Sequence, residues 1–251
     1  MARIRIVDVV DEPTFALVPP CADPAFDHRS CDYWEDADRG SKRARSLTAG
    51  APPPPARPRN PFGDDDDGDG PAFNPFAPAA AGKPANPFLP AGDPLADNPF
   101  APRRAAPRAF GSDAPRKLGL LARGAAVFGS YAKVLLVDDE PAAYAQFGPL
   151  SAYPRAARVR ELYRQLPDAP LPAVITCIAT TAAARGGGHA GLLVTAVCDD
   201  LAGRGFAAVE VYPEEGVRPD ATSAATPAFW VGAGFALAVD DPRFPVMRRE
   251  L

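Results

Sequence analysis

The chain has 251 residues, a formal net charge of -4, 32 prolines and four cysteines. That length admits one or two domains, and the acidic balance excludes a general nucleic-acid binder. No apolar run of about 18 residues occurs, so no transmembrane helix is expected.

From the N-terminus, Arg3 to Val10 alternates apolar and charged residues and reads as a strand. The alternation is unlike the continuous apolar core of a signal peptide, so a cytoplasmic location is expected. Phe15 to Val18 is a short apolar segment closed by Pro19-Pro20. Cys21 to Asp38 is acidic and aromatic and carries Tyr33 and Trp34. Cys21, His28 and Cys31, with Asp23, Asp27 or Asp32, fall short of the paired-cysteine spacing of a zinc site, and no metal is expected.

Residues 44–115 are dominated by Gly, Pro, Ala and Asp, with the acidic run Asp64 to Asp67. Such a composition buries too little apolar surface to offset chain entropy, so a disordered insert is expected. Within it Asn-Pro-Phe recurs at Asn60, Asn74, Asn86 and Asn98. The repeat suits either a multivalent tether or an expanded low-complexity segment with no partner. The expected division is 1–43 as the first part of a domain, 44–115 as the insert, and 116–251 as its main part.

Order resumes near Lys117. Ala132 to Val137 and Ala142 to Gly148 flank Asp138-Asp139-Glu140-Pro141 and read as a β-hairpin. Lys133 to Glu140 also looks like the first strand of a phosphate-accepting receiver domain. That reading fails, because threonines end the later strand and no lysine follows Lys133. Ala156, Val159, Leu162, Tyr163 and Leu166 give a helical stripe beginning near Pro154. A proline-rich loop, Leu166 to Pro172, leads into Ala173 to Thr181, an apolar β-branched run that reads as the central strand.

The most informative stretch follows. Ala182-Ala183-Ala184 precedes Arg185-Gly186-Gly187-Gly188-His189-Ala190-Gly191, and Leu192, Leu193, Val194, Val197 and Leu201 then recur at helical spacing. Strand, glycine-rich turn and helix make an anion site, because first-turn N–H groups lack intrahelical acceptors and the helix dipole is positive there. A P-loop would need Gly-Lys-Ser/Thr, and His189 follows Gly188 instead. Gly186, Gly188 and Gly191 match the dinucleotide spacing, but no acidic residue ends the next strand, within which Glu210 lies. Cys177 and Cys198 read as small buried hydrophobes.

Arg185, Gly188 and Ala190 also fit Arg-x-x-Gly-x-Ala. Farther on come the strand Phe206 to Tyr212, then Ser223 to Trp230 with an aromatic pair, then Gly234-Phe235. In this order and spacing the chain, from about Ala132 to its end, resembles the GNAT superfamily of N-acetyltransferases, in particular uncharacterised actinobacterial members. The resemblance implies an α/β (α+β) fold, a mixed, mostly antiparallel central sheet flanked by helices, with two central strands splayed apart. It implies acetyl-CoA as acyl donor and an amine-bearing small molecule or peptide as acceptor, with no nucleic acid and no membrane as partner. It places the diphosphate on the backbone of Arg185, Gly186, Gly187, Gly188, His189, Ala190 and Gly191. The pantetheine arm falls to Ile178, Ala179 and Thr180, and Trp230 comes near the cofactor. Tyr33 and Trp34 are expected either in the acceptor pocket or in the core.

Two departures matter. Trp230 stands where many members carry a tyrosine that protonates the leaving thiolate, and Ser223 where asparagine is common. Tyr212, Ser223 and Thr181 are substitutes for the acid. Glu210 is the expected base, with a solvated strand position as the alternative. His189 is expected either to contact phosphate or to face solvent. A second functional reading follows: an acyl-CoA-binding module weakened in catalysis that engages a partner through its insert.

Overall fold

The computed structural model describes residues 2–21, 27–38, 40, 114–213, 225–242 and 244–251. The Asn-Pro-Phe repeats and Ser223 lie outside them. Met1–Ser46 and Ala109–Leu251 form one unit.

The chain order is β1 (Ile4–Asp8), α1 (Glu12–Phe15), α2 (Arg116–Ala122), α3 (Ala125–Phe128), β2 (Ala132–Val137), β3 (Glu140–Pro149), α4 (Pro154–Arg160), β4 (Ala173–Thr180), α5 (His189–Gly203), β5 (Ala208–Val211), α6 (Pro227–Gly232), β6 (Ala236–Val239) and β7 (Val246–Glu250). The strands form one sheet in the order β1-β2-β3-β4-β5-β7-β6. Every neighbouring pair is antiparallel except β4 with β5. The mixed, mostly antiparallel sheet flanked by helices is thus as expected from the sequence.

Local chemistry explains the elements. Asp138 and Asp139 both take positive φ (50° and 69°), the conformation that a two-residue hairpin turn requires, and join β2 to β3. Helix α5 buries Leu193, Val194, Val197, Cys198 and Leu201 against Ala145, Phe147, Ile175 and Ile178 on one face of the sheet. The opposite face, carrying Tyr144, Val174, Cys177 and Tyr212, packs under Phe15, Val18, Trp34, Leu118, Leu121 and Ala156. Trp34 is therefore a core residue, stacked near Tyr212 with ring centroids 6.4 Å apart.

Helix α4 ends at Arg160, short of the periodic stripe that runs on to Leu166. The Arg160 side chain donates to the carbonyl of Pro167 at 2.5 Å, tying the following loop back on the helix. The 27–38 segment is bound to the body by Arg155, whose Nε donates to the Tyr33 carbonyl at 2.6 Å, and by Lys117 paired with Glu35. Among the described residues no helix is long and apolar enough to cross a membrane.

Candidate acyl-cofactor site

The parallel strands β4 and β5 are joined at only two positions, Ala173 with Val209 and Val174 with Glu210. Beyond Val174, β4 runs six residues farther without β5 beside it. The parting coincides with a bulge. On the other side of β4, Phe147 pairs with Ile175 and Gln146 with Cys177, so Thr176 is an extra residue. A bulge bends its strand and increases local twist. Pro213 follows two residues after the end of β5 and has no N–H to extend a ladder. Along this stretch the backbone of Ile178, Ala179 and Thr180 has no partner in β5. Cys177 is buried, while Ala179 and Thr180 are half-exposed.

At the open end of β4 the chain passes through a short 3-10 turn, Ala182–Ala184, into the glycine loop. Gly186 (φ 79°) and Gly188 (φ 74°) occupy the left-handed region, which a side chain would strain. Gly188 is the N-cap of α5, and no side chain caps the helix. The first helical bond runs from Leu192 N–H to the Gly188 carbonyl, 3.2 Å. The amides of His189, Ala190 and Gly191 precede it, and no acidic residue lies in the first turn to neutralise them. Arg185 and the three glycines are exposed. An uncapped fifteen-residue helix start beside an unpaired strand edge fits what a diphosphate on a flexible amide-bearing arm requires.

His189 is half-buried. Its ring folds over Gly187, where an added Cβ would lie 2.6 Å from Nε2. Its Nδ1 is buried without a partner.

Of the expected catalytic residues, the structure describes Glu210 and Tyr212. Glu210 is fully buried, so it is not a solvated strand residue. Both its oxygens are taken. Oε1 accepts from Arg248 Nη1 at 2.7 Å, and Oε2 accepts from Arg160 Nε at 3.0 Å and from the Tyr212 hydroxyl at 2.7 Å. Two guanidiniums and a phenol thus take three of the carboxylate's roughly four lone-pair sites, and the side chain is wholly buried. The Tyr212 hydroxyl keeps its proton and donates its hydrogen bond to Glu210. Burial, and then the Glu210 charge, raise its pKa well above the ordinary phenol value, which unsuits it as an acid. Trp230 has no exposed surface and packs between Phe229 and Phe235.

Sequence reasoning missed a second polar group. On the face opposite α5, His28 lies with its ring centroid 5.3 Å from that of Tyr144, and its Nδ1 is 3.7 Å from Cys177 Sγ. Gln146 Nε2 donates to Glu35 Oε1 at 2.7 Å. Burial lowers the His28 pKa to about 4; Asp27 opposes this and Lys117 adds to it. Among the described residues no group of three His, Cys, Asp or Glu side chains is placed to hold a metal ion, and none of the four cysteines is in a disulfide. The signal available in the sequence was Gln146, a polar residue within the largely apolar run Ala142 to Gly148.

Neither a protein-family model nor a curated protein sequence matches the chain. Solved structures do. PaiA N-acetyltransferase from Thermoplasma acidophilum, in complex with coenzyme A, aligns at TM-score 0.38 and 8% identity over 55% of this chain and 72% of that one. A Bacillus subtilis acetyltransferase in complex with coenzyme A aligns at 0.33 and 12% identity over 48% and 76%. The ribosomal-protein-S18-alanine N-acetyltransferase from Escherichia coli aligns at 0.30 and 18% over 48% and 66%. With scores this low, the functional reading stands on the chain's own geometry.

Proposed function

We propose that this protein is an acetyl-CoA-dependent N-acetyltransferase of the GNAT type, transferring an acetyl group to an amine by direct attack on the thioester. One observation carries the reading: β4 and β5 part at the Thr176 bulge, directly below a glycine loop that opens an uncapped helix. Bound there, the cofactor would supply an activated acyl carbon. The backbone amides from Arg185 to Gly191 would hold its diphosphate, and Ile178, Ala179 and Thr180 its arm. An amide on the unpaired edge of β4 would steady the developing oxyanion. A thiol has an ordinary pKa of about 8.5, so its thiolate departs without a dedicated acid. The commitment of Tyr212 to Glu210 therefore does not preclude transfer.

Calorimetric titration with acetyl-CoA, followed by thiol release over a panel of primary amines, tests this. Saturable binding with amine-dependent thiol release is the expected result, and absence of binding would remove the proposal. The locked Glu210–Tyr212 pair favours a second reading, an acyl-CoA-binding module without turnover. Binding without release for any amine would select it.

A further inference from the structure

A thiol and an imidazole meet on β4, and the acyl-transfer reading gives neither a role. Cys177 Sγ lies 3.7 Å from His28 Nδ1, within hydrogen-bond range for sulfur. The histidine is 7% exposed, and its Nε2 is buried without a partner. Tyr144 completes the cluster. Its ring centroid is 5.3 Å from that of His28, and its buried hydroxyl has no hydrogen-bond partner. Cys177 follows the Thr176 bulge and directly precedes Ile178, Ala179 and Thr180, the stretch of β4 without a partner in β5. Tyr144 is the cross-strand partner of Ala179 on β3. Side chains alternate along a strand, so Cys177 and Ala179 share a face, and Ala179 is half-exposed. Access to that face therefore begins two residues from the thiol.

We propose that Cys177 is a self-acylation site, taking the acyl group of a bound thioester onto Sγ with His28 as its base. This rests on the acyl-transfer reading above and goes beyond it, because it adds a covalent route beside direct attack by an amine. A nucleophile within hydrogen-bond reach of a base is the arrangement that covalent catalysis uses. Burial keeps His28 uncharged at neutral pH, so a ring nitrogen is available to take a proton. In the step, Sγ bonds to the acyl carbon while its proton passes to His28 Nδ1. The bond from that carbon to the departing sulfur then breaks, and the proton moves from Nδ1 to that sulfur. One thioester is exchanged for another, so the step needs no oxidant, reductant or further co-reactant. Tyr144 keeps its proton, since burial raises its pKa, and its unpaired hydroxyl is the donor for the acyl oxygen as charge builds there.

The full chain is incubated with acetyl-CoA and no amine, quenched in acid, digested and weighed by mass spectrometry. Coenzyme A binding is measured by calorimetry on the same preparation. An acetyl group on the peptide carrying Cys177, removable by neutral hydroxylamine, is the expected result. Cys21, Cys31 and Cys198 serve as internal controls and are expected to stay unlabelled. S-acetyl-N-acetylcysteamine, a thioester without the diphosphate, is expected to label Cys177 far more slowly at equal concentration. Cys177→Ala is expected to lose the label. His28→Phe, which keeps a ring against Tyr144, is expected to slow labelling about a hundredfold. Retained coenzyme A binding shows that each variant is folded. A structural role for the pair would leave Cys177 unlabelled. Coenzyme A binding with an unlabelled Cys177, label spread equally over the cysteines, equal rates with the two thioesters, or an unslowed His28→Phe would each overturn the proposal while leaving the cofactor site standing. Absence of coenzyme A binding would instead remove the parent reading, and self-acylation with it.

Discussion

The Glu210 carboxylate and the Arg248 guanidinium face each other across β5 and β7 at 2.7 Å, with the carboxylate wholly removed from solvent. Arg160 from α4 closes the other side, so one buried charge ties a helix to two strands below the parting of β4 and β5. Removing one member of a buried pair strands the others. Glu210→Gln is expected to lower stability by about 3–5 kcal/mol. A urea midpoint within error of wild type would show that the network adds nothing. Refolded variant is expected to keep acetyl-CoA binding, since no oxygen of Glu210 is open to a ligand.

Lys117 and Glu35 make a second buried pair, with side chains only 1% and 9% exposed. Lys117→Met leaves a buried carboxylate without its cation and is expected to lose about 3–5 kcal/mol, while adding Glu35→Gln recovers most of it. Additive losses in the double variant would argue against direct coupling. The comparison is a double-mutant cycle by chemical denaturation.

His28 gives a pH dependence with a definite sign. Its folded-state value, about 4, lies below the ordinary 6.5. The unfolded chain therefore binds the proton more readily. The stabilisation is fully present above pH 6.5 and is lost as pH falls toward 4. At roughly 1.4 kcal/mol per unit, the loss amounts to about 3 kcal/mol. His28→Phe keeps a ring against Tyr144 and is expected to flatten this part of the profile. Parallel profiles for the two proteins between pH 7 and pH 4.5 would refute the assignment.

The glycine loop predicts a graded set. Gly186→Ala and Gly188→Ala force a side chain into positive φ and are expected to cost about 1–2 kcal/mol each, although neither Cβ meets an atom within 4 Å. Gly187→Ala has no such backbone strain, but its Cβ displaces the His189 ring. All three are expected to weaken acetyl-CoA binding, with the stability loss confined to 186 and 188. Equal stability loss at 187 would show that the His189 ring is not free to move.

What the sequence determined by itself was whatever rests on local chemistry. Alternation marked β1, two aspartates between apolar runs marked the β2–β3 hairpin, and a 3.6-residue stripe after three glycines marked α5 and its open amides. Strands β6 and β7 escaped that reading. Ala236 to Val239 is short and mostly exposed, and Val246 to Glu250 ends in three charged residues. They are strands because β5 supplies a partner and Glu210 a counter-charge for Arg248. The tertiary structure alone decided the fate of the side chains. It placed Glu210 in a buried ion-pair network and Trp230 in the core. It also brought His28 against Cys177 across 149 positions of chain. Such contacts depend on which faces meet after the sheet assembles, and no spacing along the chain records that.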